Sequence, residues 1–276
     1  MVIKEFLRRH MLSFGWTLTL ILVEALLTLL FPLFIGYAVD DAMNQTYNGL
    51  MHLGTLGLAV LIVGAGRRFF DSRHYAKAYQ KIGSVFITNQ PDHSTSKKAA
   101  RLGMIKELVE FLEFSLPEMI NAAITLVGVL AILATLEIHV FMGALLASSL
   151  IFIVYWVSSA KTLGLNKAAN DEQEKEVEVI AKNDTNELGT HLRSMMQWNI
   201  KLSDLEVVNF SVTWLILMVF LLTSIFLSVD GQAIQYGILF SMVMYVFQYI
   251  ESVMNIPFFY QSWLRLQEIS SRIALN

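Results

Sequence analysis

Long apolar runs cover residues 12–36, 50–70, 114–136, 138–158, 209–229 and 233–256. Each is about long enough for a helix to cross a hydrocarbon core of ~30 Å. The pattern predicts six transmembrane helices joined by connections of two kinds. On one side they are short: a stretch around Asp40 to Asn48, a turn near Glu137–His139, and Ser228 to Gln232. On the other side the second and fourth connections are several times longer and have helix-forming composition. Arg67 to Phe86 prolongs the second run without a breaker, and Lys98 to Phe114 leads into the third in the same way. Between them lies the polar break Thr88 to Ser96, which contains Pro91 and candidate N-caps. A similar break is expected near Asn183 to Gly189. Spans two to five therefore extend beyond the membrane as two long helical hairpins. Residues 1–11 alternate in helical period, with Val2, Ile3, Phe6 and Leu7 against Lys4, Glu5, Arg8 and Arg9. They read as an amphipathic elbow helix lying on the leaflet.

Charge gives the arrangement a direction. All 20 Lys and Arg residues fall in the N-terminus, the second and fourth connections and the tail, so the three short connections hold none. Basic flanks stay on the cytoplasmic side, which predicts six spans with both termini cytoplasmic. With 55% hydrophobic and 16% charged residues, the chain is too apolar for a soluble domain of this size. A cleaved signal peptide is not expected, because the first run is too long and no small-residue cleavage site follows it. The absence of cysteine excludes disulfides and thiolate chemistry. The six histidines lie in different segments without ligand spacing, so no metal site is expected. No cofactor is expected in this chain either.

The layout resembles the transmembrane domain of the six-span, homodimeric ABC exporters. The resemblance rests on the elbow helix, the first span ending in Pro32-Leu33-Phe34-Ile35-Gly36-Tyr37-Ala38-Val39-Asp40, two long intracellular hairpins and short outer loops. It covers essentially the whole chain. It implies an all-α integral membrane fold of six long helices, assembled as a domain-swapped homodimer in a bacterial inner (cytoplasmic) membrane. It also implies alternating access for a small-molecule cargo. The sequence departs from the pattern in two respects. No G-x-x-x-x-G-K-[ST] loop occurs in residues 1–276, so no nucleotide-binding domain is expected among them. The intracellular tips are also shorter than in that family and lack the usual aromatic pair near the first tip. Residues 1–276 are thus expected to form a single six-span domain that is not itself an enzyme.

Three glutamates lie within the apolar runs, where a charge costs at least about 2.5 kcal/mol. Glu24 reads as the middle of the first span, with Thr17 and Thr28 on its face. Glu118 lies about a turn inside the third, with Asn121 and Thr125. Glu251 lies toward the inner end of the sixth, in line with Gln248 and Asn255. With no Lys or Arg deep in any span, Glu24 is expected to face water or to hold its proton. In a dimer these groups would line a shared cavity suited to cationic or amphipathic cargo, and could couple it to a proton gradient. The candidate site is Glu24, Thr28, Glu118, Asn121, Gln248, Glu251 and Asn255. The alternatives are that the acids are interhelical hydrogen-bonding groups, or, for Glu118 and Glu251, that they snorkel to the inner interface toward Arg67 or Arg68. Expected partners are the lipid bilayer, a second copy of the chain, a small-molecule cargo and a possible separate ATPase subunit, with no nucleic acid. The functional alternative is a non-transporting membrane adaptor or regulator that retains the exporter scaffold.

Overall fold

In the computed structural model, residues 11–89, 95–182, 184–229 and 236–274 are described. The elbow helix expected at residues 1–11, the centre of the first polar break and the connection expected at Ser228 to Gln232 fall largely outside them. The described residues are helical throughout, with no strand. They comprise α1 (Met11–Leu29), α2 (Phe31–Met43), α3 (Asn48–Asn89), α4 (Thr95–Glu110), a π-helical turn (Phe111–Ser115), α5 (Leu116–Leu136), α6 (Ile138–Glu174), α7 (Glu176–Lys182), α8 (Thr185–Val229) and α9 (Tyr236–Ala274). Six helical segments among them are long and apolar enough to cross a membrane.

Proline explains where the expected continuous helices are interrupted. The first span, read as one run over 12–36, breaks at Leu30. Pro32 has no N–H to bond the carbonyl of Thr28, and the Leu30 N–H turns back to Leu27 O at 3.2 Å. Ahead of the third span, Pro117 likewise leaves the Glu113 carbonyl without its helical donor. Here the chain adds a residue to the turn, and the Leu116 N–H bonds to Phe111 O, five residues back. A single extended residue, Glu137, separates α5 from α6. Ahead of the second tip an unexpected break falls at Lys175, between α6 and α7. The expected second break falls at residues 183–184, where Asp184 Oδ1 accepts from the Asn186 N–H at 2.8 Å and caps α8.

The chain divides into two compact units, Met1–Ile138 with Ser228–Asn276, and His139–Leu227. In the first, α2 packs on α3 and α9, α1 packs on α3 and α5, and α5 packs on α9. The second is an antiparallel hairpin of α6 and α8. Its cross-contacts step along the pair: the Phe220 ring closes on Gly143, Asn209 Nδ2 donates to Ser158 Oγ at 3.0 Å, and His191 Nδ1 meets Glu172 Oε1 at 3.0 Å.

Two adjacent aspartates tie the first unit together at its cation-free end. Asp40 Oδ1 accepts from the Gly237 N–H at 2.7 Å, and Asp41 Oδ2 accepts from the Gly49 N–H at 2.6 Å. Each carboxylate thus satisfies an orphan donor at the N-terminus of a neighbouring helix and meets its positive dipole end. The close approach needs glycine. A Cβ on Gly237 would meet both the carbonyl oxygen of Gly36 and the Asp40 carboxylate. The turn that follows is built on Gln45, whose φ of 58° is left-handed, and the Thr46 N–H bonds to Asp41 O at 2.8 Å. Further along α9, the Ser241 hydroxyl donates to Pro32 O at 2.8 Å and the Tyr245 hydroxyl to Leu29 O at 2.9 Å. These bonds serve carbonyls on either side of the break at Leu30, so the interrupted first span is stitched to the sixth.

Candidate functional site

The contacts that hold the first unit also set the depth of each candidate residue. Leu29 is level with Tyr245, which bonds its carbonyl, and with Gly128, where a Cβ would strike the Leu29 side chain. At 1.5 Å per residue, Glu24, Asn121 and Glu251 lie ~8–10 Å from that level toward the basic end. Glu118 and Asn255 lie ~15 Å from it in the same direction. Five of the seven residues singled out from sequence therefore form two tiers on α1, α5 and α9, while Thr28 and Gln248 lie closer to the level of Leu29.

Their side chains divide into two groups. Glu24 turns toward α3. Arg67 Nε donates to Glu24 Oε2 at 2.6 Å, and Arg67 Nη1 donates to Asp71 Oδ2 at 3.2 Å. Thr17 Oγ1 donates to Asp71 Oδ1 at 2.8 Å. Asp71 is 2% exposed, and the side chains of Arg67 and Glu24 are 12% and 19% exposed. Glu24 therefore neither faces water nor lacks a cation, contrary to expectation. The sequence groups Arg67 with the other cations of the second connection, although it lies within the apolar run 50–70. The antiparallel register of α1 and α3 nonetheless puts it level with Glu24. The same register corrects the depth, since Glu24 lies toward the basic end and not at mid-span. Gly64 makes the approach possible, because a Cβ there would lie 2.9 Å from Glu24 Oε1. A Cβ on Gly66, two residues on, would by contrast meet open space. The Thr face proposed around Glu24 also dissolves: Thr17 serves Asp71, and the Thr28 hydroxyl bonds back to Glu24 O at 2.8 Å.

The other acids behave differently. Glu118, Asn121, Glu251 and Asn255 are all exposed on the single chain. Gln248 is half-buried, and its buried Oε1 has no hydrogen-bond partner among the described residues. Beyond the Thr28 hydroxyl on the Glu24 carbonyl, no hydrogen bond joins any two candidate residues among those described. Two carboxylates in apolar spans are thus left without internal compensation, in a setting where such groups face water, a cavity or a partner. Sequence reasoning missed Arg67 and Asp71 as members of the internal network, and Asp40 and Asp41 as helix caps. The available signal was Arg67–Asp71–Tyr75 at steps of four, with Asp71 the sole carboxylate of α3.

This arrangement of six apolar spans, with the first interrupted at Leu30 and Glu24, Glu118 and Glu251 all toward the basic end, can be compared with known families. A family described as ABC transporter transmembrane region matches residues 3–248. The chain belongs to that family. It is an integral membrane protein built as an ABC transporter membrane domain, a transport domain and not a catalytic one. No curated protein matches the sequence.

Proposed function

We propose that two copies of this chain enclose a cavity at the basic half of the membrane and export cationic or amphipathic small molecules through it by alternating access. The observation that carries this reading is the contrast among the acids. The folded unit neutralises Glu24 internally, yet leaves Glu118 and Glu251 exposed within apolar helices. Glu251 is level with the paired Glu24 and Arg67 at the basic edge of the apolar layer, with Glu118 ~6 Å beyond it. Both therefore stand where a cavity open to the basic side has its mouth, and there an exposed carboxylate is a cation site. Asn121 and Asn255 stand beside them at the same two levels, and Gln248 Oε1 is an acceptor for a donor that the described residues do not provide. Two-fold association is the usual outcome for identical chains and would present each acid twice around one axis. Exchange of the α6–α8 hairpin between copies fits its separation as a compact unit of its own.

The energy source is either a separate ATPase chain or the proton gradient, acting through Glu118 and Glu251. To decide between them, the protein is purified with and without nucleotide, copurifying chains are identified, and uptake of a permanently cationic amphipathic dye is followed in proteoliposomes. Nucleotide-dependent recovery of an ATPase supports the first drive, and dye flux under a proton gradient by the chain alone supports the second. A dimer that moves no dye under either drive and holds a stable partner of another kind would overturn the proposal in favour of a membrane adaptor.

A further inference from the structure

Helix α3 presents two different faces where it leaves the apolar layer. One carries Arg67, Asp71, Tyr75, Ala78 and Ile82 at steps of three and four. Asp71, Tyr75, Ala78 and Ile82 are buried, and Arg67 and Asp71 are spent on α1. Away from it, Phe69, Arg73 and Lys77 line up at steps of four, with Arg68 and Ser72 on the flank of that line, all exposed. None of these three cations is paired with a carboxylate among the described residues, and the one acid of α3, Asp71, points the other way.

The level of this face is set by the clamp at the other end. Asp41 fixes Gly49, beside the start of α3 at Asn48, and Arg68 follows Asn48 by 20 residues. That is about 30 Å of helix, the thickness of the hydrocarbon core. Arg68 therefore lies at the boundary, with Arg73 and Lys77 ~8 and ~14 Å beyond it. Phe69 is 62% exposed, with the Arg73 guanidinium 3.2 Å from its ring centroid and Arg73 Nη1 bonded to Phe69 O at 3.1 Å. An aromatic ring at the boundary with a cation laid over it has its apolar body toward acyl chains and its charge toward headgroups. Arg73 is thereby held at headgroup height, with most of its donors unused.

We propose that this face, Arg68, Phe69, Arg73 and Lys77, binds the headgroups of anionic phospholipids in the leaflet at the basic end. Phosphate supplies the anion that three unpaired cations lack, and Arg68 and Arg73 suit it through paired guanidinium donors. The site is separate from the acids on α5 and α9 and stands whether or not the chain transports.

The absence of cysteine allows a direct test. Ser72 flanks this face, so a fluorophore attached through S72C reports its lipid neighbours. The labelled chain is reconstituted in phosphatidylcholine vesicles holding equal mole fractions of nitroxide-headgroup phosphatidylglycerol or phosphatidylcholine. The expected result is quenching by the anionic lipid roughly fivefold more effective than by the neutral one, falling as salt is raised. Adding R68Q, R73Q and K77Q brings the two lipids to parity, whereas R68K with R73K keeps the preference. If the triple variant fails to insert, R73Q alone reads the same ratio. Equal quenching by both lipids in the parent, or a preference unchanged in the neutralised variant, overturns the proposal. Protection from both lipids does so as well, because it would mean that a second copy covers the face.

Discussion

Glu24 and Glu251 lie at nearly the same depth in helices of the same unit, yet their surroundings are opposite. Around Glu24, α1 and α3 bring together one guanidinium, two carboxylates and a hydroxyl, with Gly64 making room. Around Glu251, α9 offers Gln248 and Asn255 along one line and leaves the carboxylate exposed. Depth alone made both acids look alike. The difference teaches that an acid in an apolar span is assigned by its neighbours: the paired one fastens helices, and the unpaired ones are free to act.

The comparison can be broken first at Arg67. R67L orphans both Glu24 and Asp71 inside the unit, and is expected to lower stability by about 3–5 kcal/mol, since uncompensated buried charge is the dominant penalty. Thermal unfolding in detergent measures this. Removing all three charges together in E24Q/R67Q/D71N recovers most of the loss. A silent R67L would mean that the pair does not fasten α1 to α3.

The clamp at the opposite end comes next. G237V drives a side chain into the Gly36 carbonyl and the Asp40 carboxylate, for an expected loss of about 1–3 kcal/mol. D40A removes only the cap and is expected to cost about 1 kcal/mol. Hydrogen exchange at the first turn of α9 should rise in both variants. Y245F, which frees the Leu29 carbonyl of its partner, is expected to cost about 1 kcal/mol. Unchanged protection in D40A would show that glycine packing alone fixes the α2–α9 contact.

The smallest stability effects are expected at the exposed acids. E118Q and E251Q should each stay within about 0.5 kcal/mol of the parent, as surface substitutions do. Flux of a cationic dye should nonetheless fall about tenfold, the size of one lost charge-assisted bond. A stability loss without a flux change would place these groups in helix packing.

Much of the fold was legible from the chain. Apolar length gave the six spans, and the polar stretch around Asp184 gave the helix start that this residue caps. What was not legible depended on register between distant segments. Arg67 lies near the end of its apolar run, so it read as part of the basic helical extension beyond the membrane. Only antiparallel packing of α1 on α3 brings it level with Glu24, 43 positions earlier. Asp40 and Asp41 were hidden in a similar way, because two acids at a span's end look solvated until the N-termini of α3 and α9 are seen to end on them. The break at Leu30 could have been inferred from Pro32, since a missing N–H within an apolar run predicts an interruption. For Glu118, Asn121, Glu251 and Asn255, helical spacing showed only which of them share a helix face; their common levels across α5 and α9 depend on the packing of both helices around Leu29.

The central claim is that Glu24 fastens the fold while Glu118 and Glu251 carry cargo. Dye flux per folded protein, measured beside the melting temperature for E24Q, E118Q and E251Q, tests it most directly. The account predicts that E24Q melts lower but carries dye at the parent rate, and that E118Q and E251Q melt like the parent but carry little. It is contradicted if E24Q melts normally and carries nothing while the other two transport at the parent rate.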